Sequence, residues 1–321
     1  MTLAELPLGE IRRRLRSDLG LRLGIGPFAV ALRTTVRDIP AALCTLYADF
    51  PVVDEAAFVD FHLELDRPRG LRRWLAPQVS FSLDGRVPFK PLPLAHAPAL
   101  QEWALNWCIY THAHQYLIIH AAVVARGPHA LILSGPPGSG KSTLTAGLIH
   151  DGWRLLSDEL ALVLRDGSTR IQPLARPVGL KNDAIGLIQA RSPGAAFGPL
   201  ARDTLKGTIA HLRPPSESVT RAHEMARAAW VVFPRFAPDS DTRLEGVPRA
   251  QAFLELARNS FNYDLLGVRG FDCLADLIEG SSTHSLVYGN LDQALRELAA
   301  LPKSEPEHVQ RATAASAAAP G

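Results

Sequence analysis

Apolar positions along this chain change period several times, and each change marks an element. In Met1–Gly20 the Leu and Ile spacing suits a short amphipathic helix. From residue 22 to residue 98, short apolar runs alternate with turn residues. Phe28–Arg33 and Phe58–Leu65 read as strands, and Ile39–Phe50 reads as a helix. Gln78–Leu83, the Asp84-Gly85 turn and Arg86–Phe89 read as a β-hairpin, since Asp-Gly suits a two-residue hairpin turn. Pro91, Pro93 and Pro98 then make an extended connection. These elements predict a small α+β N-terminal module over residues 1–98, with no function visible in it.

The next region, residues 99–302, has a different rhythm. Residues 99–115 are helical in period, with Trp103, Trp107 and Tyr110 on one face. Such a stripe is expected to pack a core rather than to hold a ligand. His112 and His114, two apart, do not share a helix face, which argues against a metal site there. Leu117–Ala125 and Ala130–Ser134 read as strands joined by a tight turn at 126–129. A helix over Lys141–His150, a turn at Gly152-Trp153 and a strand over Arg154–Ser157 follow. Strand and helix in alternation predict an α/β fold class. Residues 303–321 are mostly Ala, Ser, Pro and charge. They lack the apolar surface to offset ordering entropy and are expected to form a disordered tail.

Composition narrows the setting. Apolar residues make up 47% of the chain and charged residues 21%, as in ordinary soluble proteins. A net charge of +2 gives no electrostatic case for nucleic acid as a partner. The longest apolar run, Tyr116–Ala125, is interrupted by His120 and is half the length of a membrane span. The arginines at 12, 13, 14 and 16 have no apolar run behind them, so they do not open a signal peptide. Cys44, Cys108 and Cys273 form no C-x-x-C pair, which argues against a disulfide framework or zinc site and for a reducing compartment. The expectation is a cytoplasmic protein without a membrane partner, its oligomeric state open, a homo-oligomer included. Basic residues are lopsided, 29 Arg against 5 Lys. Codon bias is the ordinary reading, yet each Lys then merits attention, because an ammonium does what a guanidinium cannot.

The strongest chemical signal is Gly135-Pro136-Pro137-Gly138-Ser139-Gly140-Lys141-Ser142, followed by Thr143, a full match to G-x-x-x-x-G-K-[ST]. A strand delivers it and a helix leaves it. The glycines let backbone N–H groups turn inward on phosphate oxygens. Lys141 reaches the β- and γ-phosphates, the Ser142 hydroxyl can bind Mg²⁺, and the helix points its positive dipole end at the anion. The implied ligands are ATP and Mg²⁺.

Asp158-Glu159 follows at the end of the next strand. A nine-residue helix runs about 14 Å and a five-residue strand about 17 Å back. The pair is therefore expected to return beside the glycine-rich loop through a short right-handed crossover. One carboxylate could hold Mg²⁺ with Ser142 while the other takes a proton from an attacking hydroxyl. Neighbours on a strand face opposite sides, so both serve only if the strand ends at Asp158. An ordinary acidic strand-to-turn pair would look the same. His120 lies on the strand paired with the one feeding the loop. On the residues alone, a lone strand His reads first as a satisfied core residue.

Together these residues resemble the HPr kinase/phosphorylase family, serine kinases with a PEP-carboxykinase-like P-loop core, over roughly Leu117–Leu164. The resemblance implies a catalytic part for His120, nucleotide binding by Gly135–Ser142, the metal-binding hydroxyl at Ser142, and the acidic pair at Asp158 and Glu159, with Glu159 as proton acceptor. More widely, over about residues 20–300, the chain looks like the group described as HPr kinase-related kinase A. The phrases carrying this likeness include Glu102-Trp103, Asn106-Trp107-Cys108, Arg176-Pro177, Leu180-Lys181-Asn182, Lys206-Gly207-Thr208 and Phe261-Asn262-Tyr263. The pattern is altered in places. Glu159 stands where the family has Asp, and Thr143 stands where an acid usually follows the Ser. The second metal-binding signature is absent as such, and Asp183 is its nearest candidate acid. Phosphorylase activity, and HPr as substrate, are therefore not carried over.

The expected activity is transfer of the ATP γ-phosphoryl group to a hydroxyl of a protein, serine first, or of a small molecule. Lys141 would stabilise the transferring charge, Ser142, Asp158 and Asp183 would be metal ligands, and Glu159 with His120 would be the base. Lys181, Lys206 and, more weakly, Arg213 are further candidates for contact with phosphate or substrate. The rivals are a nucleotide-binding regulatory or assembly module without transfer, and an ATPase without an acceptor.

Overall fold

The computed structural model of the chain describes residues 1–68 and 76–302; the tail expected over 303–321 lies outside the described residues. The chain is mixed α/β with several sheets. It opens on a 3₁₀ turn at Leu3–Glu5 and helix α1 (Leu8–Arg16), which buries Ile11 and Leu15 and turns its arginines outward. The first sheet follows, in the order β1 (Leu21–Ile25), β2 (Phe28–Thr34), β3 (Phe61–Asp66), β4 (Gln78–Leu83) and β5 (Leu92–Pro93). Helix α2 (Ile39–Leu46) connects β2 to β3, which pair in parallel. The strict alternation of burial along β3 and β4 is the period-2 pattern of a sheet with one covered face.

Two differences from the sequence reading arise here. Leu21–Ile25 forms a strand that the reading did not single out. The Asp84-Gly85 turn forms with both residues at positive φ (48° and 79°), and Leu83 bridges Arg86. However, the partner strand of β4 is Leu92–Pro93, not Arg86–Phe89. Pro88 offers no N–H to a ladder, and Phe89 is drawn instead onto Phe81 and Trp107, ring centroids 5.7 and 5.5 Å away.

Helix α3 (Ala97–His112) then packs on the first sheet, so the core does not break at residue 98. Beyond it lies the large sheet, built from β6 (Tyr116–Arg126), β7 (His129–Ser134), helix α4 (Lys141–His150), β8 (Arg154–Ser157), β9 (Leu160–Leu164) and β10 (Arg170–Gln172). A three-stranded sheet follows, with β11 (Val178–Lys181), helix α5 (Asp183–Arg191), β12 (Ala201–Thr204) and β13 (Gly207–Leu212), ordered β11-β13-β12. Helix α6 (Ser216–Thr220) leads to β14 (Ala226–Phe236) and β15 (Arg243–Gly246). Helices α7 (Arg249–Arg258), α8 (Tyr263–Leu266) and α9 (Val268–Glu279), strand β16 (Ser282–Tyr288) and helix α10 (Leu291–Ala299) complete the chain.

The large sheet runs β10-β9-β6-β7-β14-β16-β15, and β10 also pairs with the start of β14, so the sheet curls until its first strand meets its fifth. β7, β14 and β16 are parallel, and β6 runs against β7. Alternate residues of β6 and β7 go to opposite faces. Ala122, Val124, Leu131 and Leu133 meet α4 and α10 on one side, while Val123, Ala125, Ala130 and Ile132 meet α7 and α9 on the other. Burying both faces explains the continuous apolar runs of these strands. Among the described residues no helix is long and apolar enough to cross a membrane.

Candidate active site

β7 ends at Ser134, residues 135–140 form the glycine-rich loop, and α4 begins at Lys141. Gly140, at φ +95°, turns the chain into the helix. A Cβ there would also lie 1.9 Å from the Tyr288 hydroxyl. Two neighbouring strand ends brace the loop: the Phe236 N–H donates to the Ser139 carbonyl at 3.1 Å, and the Tyr288 hydroxyl to the Gly140 carbonyl at 3.3 Å. Lys141 is buried and its Nζ donates to the carbonyls of Gly135 (2.6 Å) and Pro136 (3.1 Å). Burial lowers its pKa, against the upward pull of Glu159 and Asp158. Pro136, Pro137 and Gly138 are exposed, and Ser142 and Thr143 are half-buried.

The acidic pair sits where a long strand breaks. β8 and β9 both run antiparallel to β6 along its one edge, with Ser157 opposite Val123 and Leu160 opposite His120. Between them Asp158 and Glu159 leave the ladder, which releases both side chains from strict alternation. The connection from β7 through α4 thus passes over β6, and β8 lies two strands from β7 rather than beside it. The strand ends at Ser157, one residue before Asp158, so strict strand alternation does not apply to the two acids.

Their side chains diverge. Asp158 Oδ2 accepts from the Ser142 hydroxyl at 3.3 Å and from the Gly179 N–H at 2.9 Å. Glu159 Oε2 lies 3.0 Å from His120 Nε2. His120 is held in turn by the segment after α7: its N–H donates to the Asn259 carbonyl at 2.7 Å, and its ring lies 5.7 Å from that of Phe261. The strand His is therefore a member of the cluster and not a residue closed within the core.

The two acids also differ in proton affinity. Burial, then the Glu159 charge, pushes Asp158 up to about 7, against the Gly179 N–H, the Ser142 hydroxyl and Lys141. Burial raises Glu159 too, but the hydrogen bond and charge of His120, then Lys181 and Lys141, bring it below its ordinary value. One acid inclined to hold a proton beside one kept ionised is a common arrangement for general acid–base work.

Asp158 Oδ1 is buried without a hydrogen-bond partner. An orphaned carboxylate oxygen next to Ser142 fits a magnesium site of the kind that uses one or two protein oxygens and completes its shell with phosphate and water. Among the described residues no group of three or more His, Cys, Asp and Glu could hold a metal by itself. Asp183 does not join this site. Asn182, at φ +51°, turns the chain after β11, and Asp183 becomes the exposed first residue of α5. Arg213 is likewise engaged elsewhere, 2.6 Å from Asp49.

Glu159 opens into a cavity of about 370 Å³. Its floor is His120, Ser157, Asp158 and Glu159; its walls are Trp103, Trp107 and Tyr110 of α3 with Phe89 and Phe261; Lys181, Lys206 and His211 face them from the three-stranded sheet. The aromatic stripe of α3 therefore lines a cavity as well as packing on the first sheet, contrary to the core-only expectation. Its three residues are half-buried, and Tyr110 stacks on Phe261 at 4.5 Å and 8°. The lining also includes a polar cluster of Glu102, Asn106 and Arg176. Glu102 accepts from the Tyr47 hydroxyl at 2.6 Å and pairs with Arg176 at 3.5 Å, and Arg176 also donates to Asn106. Glu102 and His211 have no role assigned from the sequence; the signals beside them are the Glu102-Trp103 phrase and the aromatic spacing on α3.

No family model matches the chain, and no curated protein matches it. Among solved structures, the Hpr(Ser) kinase/phosphatase from Coxiella burnetii is similar at a TM-score of 0.26 and 12% identity, over 56% of this chain and 90% of that one. A likeness of that degree bears no weight, and the chemistry rests on the geometry above.

Proposed function

We propose that the chain is an ATP- and Mg²⁺-dependent phosphotransferase acting on a hydroxyl acceptor. One observation carries this reading: adjacent acids divide between two places, Asp158 toward Ser142 and the glycine-rich loop, Glu159 toward His120 and the cavity. Phosphoryl transfer needs such a division, with the donor anion held on one side and the acceptor hydroxyl deprotonated on the other.

The loop amides and Lys141 bind the β- and γ-phosphates, and Ser142 and Asp158 are the residues that would hold magnesium. Magnesium, when bound, supplies positive charge against the charge gathering on the transferring group. Glu159 accepts the acceptor hydroxyl proton, and His120 orients that carboxylate. The acceptor oxygen forms a bond to the γ-phosphorus as the bond to the β–γ bridging oxygen breaks, and ADP leaves with that electron pair. A serine of a protein and a small-molecule alcohol both satisfy this chemistry.

A nucleotide-binding regulatory or assembly module without transfer draws on one observation: His120 keeps Glu159 below the ordinary carboxylate range, which makes it a weaker base. The two readings separate in an assay with γ-labelled ATP and cell lysate. The phosphotransferase reading expects label on an acceptor. It also expects about a 10²–10⁴-fold loss in Glu159→Gln and loss of label with weakened ATP binding in Lys141→Ala. ATP binding without label on any acceptor would leave only the binding module. Undiminished transfer by Glu159→Gln would remove that residue as the base.

A further inference from the structure

Resting on the phosphotransferase reading, we infer that the cavity is the acceptor subsite, and that its acceptor is a small, flat, anionic alcohol rather than a serine in a protein segment. The cavity meets the loop only through the acid pair. None of residues 135–143 lines it, while both acids do. It is therefore separate from the phosphate-gripping side and opens onto the carboxylate assigned as base, where an acceptor oxygen must lie.

The walls specify a flat body. Trp107 and Tyr110 stand one turn apart on α3, with Phe89 against the first and Phe261 stacked on the second. Aromatic faces bind planar apolar groups by offset or edge contact. A backbone segment would instead bring N–H and C=O groups against rings that cannot satisfy them. At about 370 Å³ the space falls in the range of small-molecule sites.

The cations specify charge. Lys181 and Lys206 both face the cavity, and among the described residues neither makes an ion pair. Arg176, by contrast, is committed to Glu102 and Asn106. Lys206 is exposed at the turn between β12 and β13 and lines the cavity. Lys181, the last residue of β11, lines the same cavity as Glu159. A negative group of the acceptor would pair with Lys206, and its alcohol with Glu159. Gly179 also lines the cavity, its N–H donating to Asp158 Oδ2 at 2.9 Å. In the transfer the alcohol oxygen gains the phosphoryl group, Glu159 gains the proton, and ADP leaves with the electron pair of the broken bond.

The test uses the full chain with three acceptor probes: 4-(hydroxymethyl)benzoate, the uncharged benzyl alcohol, and a neutral serine-containing peptide. Nucleotide binding is followed separately with a fluorescent ATP analogue, and cavity binding by quenching of tryptophan fluorescence. The aromatic acid should quench saturably and take label, with kcat/KM at least about tenfold above the other two probes. Lys206→Ala should raise its KM about tenfold while kcat and nucleotide binding persist. Preference for the peptide, an unchanged KM in Lys206→Ala, or nucleotide binding without quenching or label from the aromatic acid would each overturn the inference. If the ATP analogue does not bind, the phosphotransferase reading fails. The quenching titration then still decides the cavity: saturation lost in Lys206→Ala supports the anionic ligand, and none refutes it.

Discussion

On one side of Asp158-Glu159 the groups come from a single short stretch, residues 135–158, threaded through one strand, one loop and one helix. On the other side they come from residues as distant as Phe89, Tyr110, His120, Arg176, Lys206 and Phe261, brought together by three sheets and α3. The loop side is held mainly by backbone: a left-handed glycine and braces to the carbonyls of Ser139 and Gly140. The cavity side is held by side chains, both aromatic and ionic. A backbone-built site tolerates little change in glycine positions and much in its neighbours. A side-chain-built site has the opposite sensitivities, and this contrast can be broken by experiment.

The largest effect is expected from Glu102→Ala. It strips the buried Arg176 guanidinium of its counter-charge and the Tyr47 hydroxyl of its acceptor, with Arg176 and Glu102 side chains only 6% and 4% exposed. Breaking a buried pair from one end costs about 3–5 kcal/mol, because the remaining charge stays out of water. The urea midpoint should fall accordingly. Glu102→Gln, which keeps an acceptor for Tyr47, should fall less. Should Glu102→Ala unfold at the wild-type midpoint, the cavity wall does not depend on its ionic pair and the contrast drawn above is void.

Next comes the residue shared by both sides. Asp158 has a folded-state pKa of about 7 against an unfolded value of 3.8, burial being the main cause. Between those values the folded chain keeps a proton that the unfolded chain has released. The stabilisation is therefore complete below pH 4 and is lost as the pH rises to about 7. Asp158→Asn removes this dependence. In EDTA its stability relative to wild type should grow across that window by on the order of 3 kcal/mol, part of the shift being shared with Glu159. Parallel stability curves for the two proteins would show that Asp158 is ionised throughout.

The same contrast explains what was legible in the sequence. The loop, α4, β8 and the return of the acids could be read because each rule involved is local: a motif with fixed offsets, a helix and a strand of nearly cancelling length. His120 reads from its strand alone as a core residue, and its catalytic part is an expectation of the resemblance only. The bend that lets both acids act was stated as a condition, since nothing in Leu156-Ser157-Asp158-Glu159-Leu160 marks the break between β8 and β9. Trp103, Trp107 and Tyr110 were visible as a stripe, but period alone cannot say whether a half-buried face meets a core or a cavity. Glu102, Arg176 and His211 meet only after α3 docks on the three-stranded sheet, a long-range event without a local signature. Asp183 failed for a backbone reason, the left-handed Asn182 that turns it outward.

The smallest effect is the one that tests the loop side alone. Gly140→Ala places a methyl at φ +95° and 1.9 Å from the buried Tyr288 hydroxyl, which must then give up its 3.3 Å bond to the Gly140 carbonyl. Left-handed strain and the lost hydrogen bond together amount to about 2 kcal/mol. The cost should appear in two measurements, a lower unfolding midpoint and weaker binding of the fluorescent ATP analogue, because the same carbonyl and its neighbours shape the turn into α4. Tryptophan quenching by 4-(hydroxymethyl)benzoate should be unchanged, since Gly140 does not line the cavity. Loss of cavity binding in this variant would mean that the two sides are coupled through the acid pair and do not form independently.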